Sequence, residues 1–294
     1  MKTISTVFLL IISLTFNSFA QADLLAELEN SQDTAPAPVF STFKGTKIIN
    51  GQSVETRKAG NLEFLIEHRF GTLNSGATEF FGLDQAQIRL GLSYAITDRL
   101  TMGIGRSSFN KIVDGYLKFA LKKQSDRFPL SMTLFTNMGV KTFQPSSEEN
   151  LSVLQRSAFA HQLLIAHKWN SKFSFQLSPT WVHENRISAA DNSNDTFSIG
   201  FGGRYKLNKR TALVAEYFLN VNNRENLNKY DALAIGVDIE TGGHVFQIHL
   251  TNAQQVIPQG FITDTRGNFW EGDIHLGFNI SRDFGLGKAK KKKW

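Results

Sequence analysis

QAQIRLGLSYA, residues 85–95, carries the pattern that decides the fold. Ala86, Ile88, Leu90, Leu92 and Tyr94 fall on one face of an extended chain, and Gln85, Gln87, Arg89, Gly91 and Ser93 on the other. One face suits hydrocarbon and the other suits water. The alternation returns at Phe197, Ile199, Phe201 and Tyr205 against Ser198, Gly200, Gly202 and Arg204. It returns again at Trp270, Ile274, Leu276, Phe278 and Ile280 against Asp273, His275, Gly277 and Asn279. Residues 62–70, 100–107, 113–122, 130–138, 173–181 and 244–252 follow the same period of two. Three segments fit less cleanly. Residues 158–169 contain the unbroken run Leu163, Leu164, Ile165; residues 211–220 are apolar on both faces apart from Glu216; and residues 230–240 start ambiguously. Such ten-residue alternations, repeated and separated by turn chemistry, predict an all-β chain: a transmembrane antiparallel up-and-down β-barrel of about twelve strands.

The connections test this independently. Short links at residues 96–99, 170–172, 207–210 and 241–243 interleave with long ones at 71–84, 141–156, 184–194 and 253–267. Outer-membrane barrels alternate short periplasmic turns with long outer loops, which makes the strand count even and puts both mature termini in the periplasm. The link at 108–111 is short where a loop is expected, and that at 123–129 is long where a turn is expected.

The N-terminus reads as a cleaved signal peptide, residues 1–20, with Lys2 ahead of an apolar core at 7–16. Ser18 and Ala20, or Ala20 and Ala22, place the cut after 20 or after 22. Residues 21–56 read as a periplasmic segment, linker or partial plug, 57–285 as the barrel, and 286–294 as a lysine-rich tail. No cysteine occurs, which excludes disulfides, thiolate chemistry and a lipid-bearing cysteine. The formal net charge of +6 owes much to Lys288 and Lys290 through Lys293, a terminal run without interleaved aromatics, so no nucleic-acid partner is expected. The expected partners are outer-membrane lipid, the barrel-assembly machinery and a small solute.

Three blocks carry a family resemblance: FKGTKIINGQSVET at 43–56, EHRFG at 67–71, and FFGLDQAQIRLGLSYAITDRLTMGIGRSSF at 80–109. They resemble a Bacteroidota family of outer-membrane β-barrels with no assigned activity. The resemblance implies location and fold, and it brings no catalytic or binding residues. On physical grounds residues 39–56 could be a periplasmic segment, an inward-folded plug or an extra strand, with an ordered lead-in that closes the barrel seam preferred over a ligand site.

The polar face supplies the candidate site. Gln87, Arg89, Lys118, Thr133, Gln176, Arg204, Glu216, Asp238, Gln247, His249, Asp273 and His275 are expected to line the lumen. The histidines show no metal-binding spacing, so no metal and no cofactor are expected. His249, His275 and Asp273 read as a pore-lining cluster. Gly103, Gly105, Gly200, Gly202 and Gly203 read as residues that leave lumen space, since no helix follows them to build a phosphate loop. The expected function is a non-enzymatic narrow pore or small-solute binding barrel, because about twelve strands give a bore between filled and open barrels. The alternatives are a closed structural barrel, or a lipid hydrolase like outer-membrane phospholipase A, for which Ser107 or Ser108 would be the nucleophile.

Overall fold

A computed structural model describes residues 41–143, 150–187, 193–221 and 228–286. Twelve antiparallel strands close into one barrel, each hydrogen-bonded to its neighbours in sequence, and β1 to β12. They are β1 (Asn61–Thr72), β2 (Ala86–Ala95), β3 (Leu100–Ser107), β4 (Ile112–Lys122), β5 (Ser131–Lys141) and β6 (Ser157–Lys168). Then follow β7 (Phe173–Glu184), β8 (Asp195–Lys206), β9 (Thr211–Asn220), β10 (Ala232–Thr241), β11 (His244–Thr251) and β12 (His275–Gly285). The predicted signal peptide, most of the N-terminal segment and the lysine-rich tail lie outside the described residues.

Closure explains why an alternating chain is stable here: in lipid every backbone N–H and C=O must find a partner, and a closed sheet has no edge. β2 shows the logic of the faces. Ile88, Leu90, Leu92 and Tyr94 point outward and are exposed to the surroundings of the barrel, whereas Arg89, Gly91 and Ser93 are buried inside it. At the end with the short turns the chain reverses in a few residues, as at Ile96, whose N–H donates to the Leu100 carbonyl at 2.8 Å. The opposite end carries the long connections, the feature expected of an outer end, and takes that label.

Two expectations are corrected at that outer end. Residues 270–274 do not form strand; β12 starts at His275. A short 3-10 turn over Phe269–Glu271 precedes it, with the Asn268 side chain accepting from the Trp270 N–H and Gly272 at φ +88°. That left-handed glycine breaks the alternation before the strand can begin. Trp270 therefore sits on an outer loop. Asp273 is likewise a loop residue: its carboxylate accepts from the Asn268 N–H at 2.9 Å and the Asn74 amide at 2.6 Å. These bonds hold the carboxyl below the usual carboxylate range.

The interior is filled from both ends. From the short-turn end, residues 41–56 rise inside the barrel as a hairpin with a bridge between Lys47 and Gln52, and return to Asp98, whose carbonyl accepts from the Thr56 hydroxyl. From the outer end, the β11–β12 connection folds inward and carries a one-turn helix, α1 (Pro258–Thr263), every residue of which is buried. Phe261 of α1 packs edge-on against Phe218 of β9, ring centroids 4.9 Å apart.

Candidate functional site

The inner wall meets the hairpin through a graded set of polar contacts. At the tip, the Glu216 carboxylate of β9 accepts backbone N–H bonds from Ile49 at 3.1 Å, Asn50 at 2.6 Å and Gly51 at 3.0 Å. Three successive N–H groups converging on one carboxylate form an anion-cradling turn. Beside it the Asn50 side chain bridges Arg69 of β1 at 2.7 Å and Thr251 of β11 at 3.2 Å. Asn279 and Gln247 donate to the carbonyls of Ile49 and Ile48.

Below the tip the wall continues to satisfy the hairpin backbone. Gln176 of β7 donates to the Gln52 carbonyl at 2.7 Å and accepts from the Val54 N–H at 2.9 Å. The Thr133 hydroxyl donates to the Val54 carbonyl at 2.8 Å, and the Lys118 ammonium to the Thr46 carbonyl at 3.0 Å. These side chains reach into a hairpin that has few backbone partners of its own, which is why the wall must supply them.

Ion pairs tie the same region together. Lys47 of the hairpin pairs with Glu67 of β1. Arg89 lies between Glu67 at 2.5 Å and Asp114 at 2.7 Å, its Nε also donating to Asp114 at 2.8 Å. A Cβ at Gly105 would lie 2.2 Å from the Arg89 guanidinium, so glycine there leaves the fork its room. Nearer the short turns, Arg57 joins Glu63 at 2.6 Å and Asp283 at 3.0 Å, while Arg204 joins Glu240 at 2.5 Å and Asp238 at 3.6 Å.

Apolar contacts complete the seat. Phe43, Ile48 and Val54 pack on Phe135, Leu164 and Ala166, and Ile49 on Val214 and Ala234. A Cβ at Gly202 would lie 2.3 Å from the Ile48 side chain, so this glycine makes the hole that receives it.

All the expected lumen residues except Asp273 are on the inner face. Gln87 sits at the outer rim, where its Oε1 accepts from Ser108. His275 is nearby, its Nδ1 2.8 Å from the Phe70 carbonyl. A Cβ at Gly277 would meet the His249 ring, and one at Gly236 would meet the His249 Cβ. The hairpin contacts bring together Lys118, Thr133, Gln176, Glu216 and Gln247, with Arg89 adjacent. Sequence reasoning missed Lys47, Asn50, Arg69 and Asp114, and placed Glu67 and Asn279 on the polar face without singling them out as contacts. The parity that selected Arg89 also selects Glu67, Arg69, Asp114 and Asn279. Nothing in the periodicity points to Lys47 or Asn50, which precede the first strand.

At the outer mouth, above α1, lies a cavity of about 200 Å³. The rims of β5, β6 and β7, the β3–β4 turn and the β9–β10 and β11–β12 connections all contribute to its wall.

Residues 43–284 match the model of a family described as a membrane bound beta barrel domain (DUF5777). Among curated protein sequences nothing matches. Among solved structures, the chain is similar to the NanC porin at 12% identity and a TM-score of 0.47, covering 76% of this chain and 98% of that one. It is similar to the KdgM porin in complex with disordered oligogalacturonate at 9% identity and a TM-score of 0.45, covering 76% and 99%. An outer membrane channel from Pseudomonas putida F1 gives 13% identity and a TM-score of 0.43, covering 79% and 98%. The chain belongs to the membrane bound beta barrel family, and its fold is a closed twelve-stranded β-barrel.

Proposed function

We propose that this member of the membrane bound beta barrel family is a narrow, non-enzymatic channel for a small solute, closed at rest by its own hairpin at residues 41–56. The observation that carries the reading is the chemistry of the seat. Glu216, Gln176, Thr133, Lys118, Gln247 and Asn279 hold the hairpin by hydrogen bonds that water can take over once it leaves. A permanent core would more economically be apolar, because removing water from charged groups is costly. A wall that keeps Arg89, Glu67, Asp114 and Glu216 inside is one that tolerates rehydration.

The inward-folded α1 loop favours a second reading, a barrel that stays shut and acts by its outer surface. One measurement separates the two: conductance in a planar bilayer of the refolded protein, compared with the same protein lacking residues 41–56. Folding of both is first checked by heat-modifiable gel migration. The channel reading expects rare discrete steps in the full barrel and frequent, larger ones in the shortened barrel. A correctly folded, shortened barrel that remains silent would leave the structural reading standing.

The hydrolase reading finds less support. Ser107 is buried on the lumen wall of β3, and the Ser108 hydroxyl donates to Gln87 at 3.0 Å. Neither position offers a nucleophile beside a base at the lipid-facing surface.

A further inference from the structure

We infer that a cleft at the short-turn end of β4 holds the headgroup phosphate of an anionic phospholipid from the membrane leaflet at that end. The site goes beyond the channel reading and stands whether or not the barrel conducts.

The cleft begins with an irregularity in β4. Ala120 pairs with Thr133 and Lys122 with Met132, so Leu121 is an extra residue against its partner strand. Such a β-bulge bends the strand and re-aims the side chains that follow it. Here those are Lys122 and Lys123, both exposed. Beyond them the β4–β5 connection is held in a fixed frame. The buried Gln124 donates through its Nε2 to the Lys168 carbonyl at 3.0 Å and accepts at its Oε1 from the Lys168 N–H at 2.8 Å. Ser125 and Phe128 close a tight bridge, and the Lys122 ammonium lies over the Phe128 ring, 5.7 Å from its centroid. On the other side, the Ala120 N–H donates to the Arg99 carbonyl at 2.8 Å, which brings the β2–β3 turn alongside.

Between these walls lies a cavity of about 360 Å³, lined by Asp98, Arg99, Ala120, Leu121, Lys122 and Lys123. That volume is within the range of small-molecule sites. Arg99, Lys122 and Lys123 give it a surplus of positive charge, because Asp98 is its acid and the Asp98 carboxylate already accepts from the Ala59 N–H at 2.8 Å. Among the described residues no carboxylate pairs with any of the three cations, and all three are exposed. An anion entering the cleft therefore displaces no ion pair. The planar fork of Arg99 matches phosphate oxygens two bonds at a time, and the lysines add charge without demanding one geometry.

Position makes the phosphate part of a lipid. Leu121 lines the cleft and is itself exposed, and Phe119 and Leu117 continue the outward, apolar face of β4 away from it. That face is the one hydrocarbon covers. Tyr94, Trp169, Tyr205 and Phe246 are exposed at or beside the same end of their strands. Aromatic side chains at this level mark the boundary between acyl chains and headgroups. A molecule whose chains lie along Leu117 and Phe119 brings its phosphate into the cleft, whereas a free anion gains nothing from that apolar wall.

The test equilibrates the refolded, detergent-solubilised full barrel with equal amounts of phosphatidylglycerol and phosphatidylcholine and reads retained lipid by native mass spectrometry. Phosphatidylglycerol is expected to be retained at least about fivefold over phosphatidylcholine, with a preference that shrinks as salt rises. Arg99→Gln/Lys123→Gln is expected to lose about fivefold or more of that preference while migrating as a folded barrel. Lys172→Gln/Arg210→Gln removes the same charge from other turns at this end and is expected to keep the preference within about twofold. Should the first double variant fail to fold, Lys123→Gln alone, in the connection, carries the test with an expected loss of several-fold. Equal retention of the two lipids would overturn the inference. Equal losses in the two double variants would overturn it as well, by tracing the preference to charge spread around the whole rim. So would inorganic phosphate at about 10 mM displacing the lipid completely, since the acyl chains would then contribute nothing. A barrel that never conducts yet retains phosphatidylglycerol through Arg99 and Lys123 would sink the channel and leave this site standing.

Discussion

Replacing Glu216 by alanine should release the hairpin. Among the described residues the carboxylate is the sole side chain bonded to three successive N–H groups at the tip, those of Ile49, Asn50 and Gly51. Each buried N–H left without a partner costs about 1–3 kcal/mol. The space vacated by the side chain admits water, which can serve one or two of the three, so the remaining cost is about 2–4 kcal/mol. At about 1.4 kcal/mol per factor of ten, the population with the hairpin out should rise about 30- to 700-fold. The natural absence of cysteine makes the assay clean: Gln52→Cys, whose backbone carbonyl keeps its bond from Gln176, provides one thiol on the hairpin. Its labelling by a bulky, water-soluble maleimide should accelerate by that factor in the Glu216→Ala background, since labelling follows the open population when closing is fast. Glu216→Gln retains an oxygen acceptor and should accelerate labelling far less. Equal labelling rates in all three backgrounds, with folded migration preserved, would show that Glu216 does not hold the hairpin.

Arg89→Ala should destabilise the barrel by about 3–5 kcal/mol, because it strips the buried Glu67 and Asp114 of their shared cation. The urea midpoint of heat-modifiable migration reads this, and a shift within about 0.5 kcal/mol would refute it. The Asp273 carboxyl is held below its unfolded range by Asn268 and Asn74, so its contribution is present above about pH 4 and lost as pH falls below that. Proteolysis of the β11–β12 connection should therefore be flat from neutral pH down to about 5, then rise in more acid, and Asp273→Asn should abolish the rise. Purified barrel should release no fatty acid from phospholipid, with or without calcium, and turnover that disappears in Ser108→Ala would contradict the non-enzymatic reading.

The outward face was legible because lipid imposes one requirement on it, apolarity at every second residue, and β2, β8 and most of β12 obey it. The inward face carries no such single requirement. Sequence irregularities marked where it departs from a wet lumen: Leu164 in the run at 163–165 is an inner residue beneath the hairpin, and Val214 and Phe218 make β9 apolar on both faces because Ile49 and Phe261 rest on them. Phe135 likewise points inward. Residues that would be misplaced in a water-filled bore are well placed against a plug. The mouth cavity was not legible, since Lys141, Arg156, Arg186, Lys229 and Arg266 come from separate connections whose convergence depends on strand order and on the inward fold of the β11–β12 connection. No periodicity records that.

The two kinds of contact on the hairpin set how it could move. Its apolar anchors are few and sit mainly on β5, β6, β9 and β10, whereas Lys47 and Asn50 face β1 and β11 through ions and amides. Burial of Ile48 in the hole made by Gly202 is a directional cost, regained only if that side chain returns to the same place. Water can substitute on the polar side but not on the apolar one, so release should begin at Lys47–Glu67 and the tip, with Phe43 and Val54 leaving last. Lys47 also donates to the Val256 carbonyl at 3.3 Å, on the connection that forms the floor of the mouth cavity. An event that shifts this connection at the outer mouth is therefore coupled through one side chain to the hairpin. Lys47→Met, which keeps length and removes the bond and the charge, should raise Gln52→Cys labelling. A labelling rate unchanged by Lys47→Met would show that this side chain does not hold the hairpin.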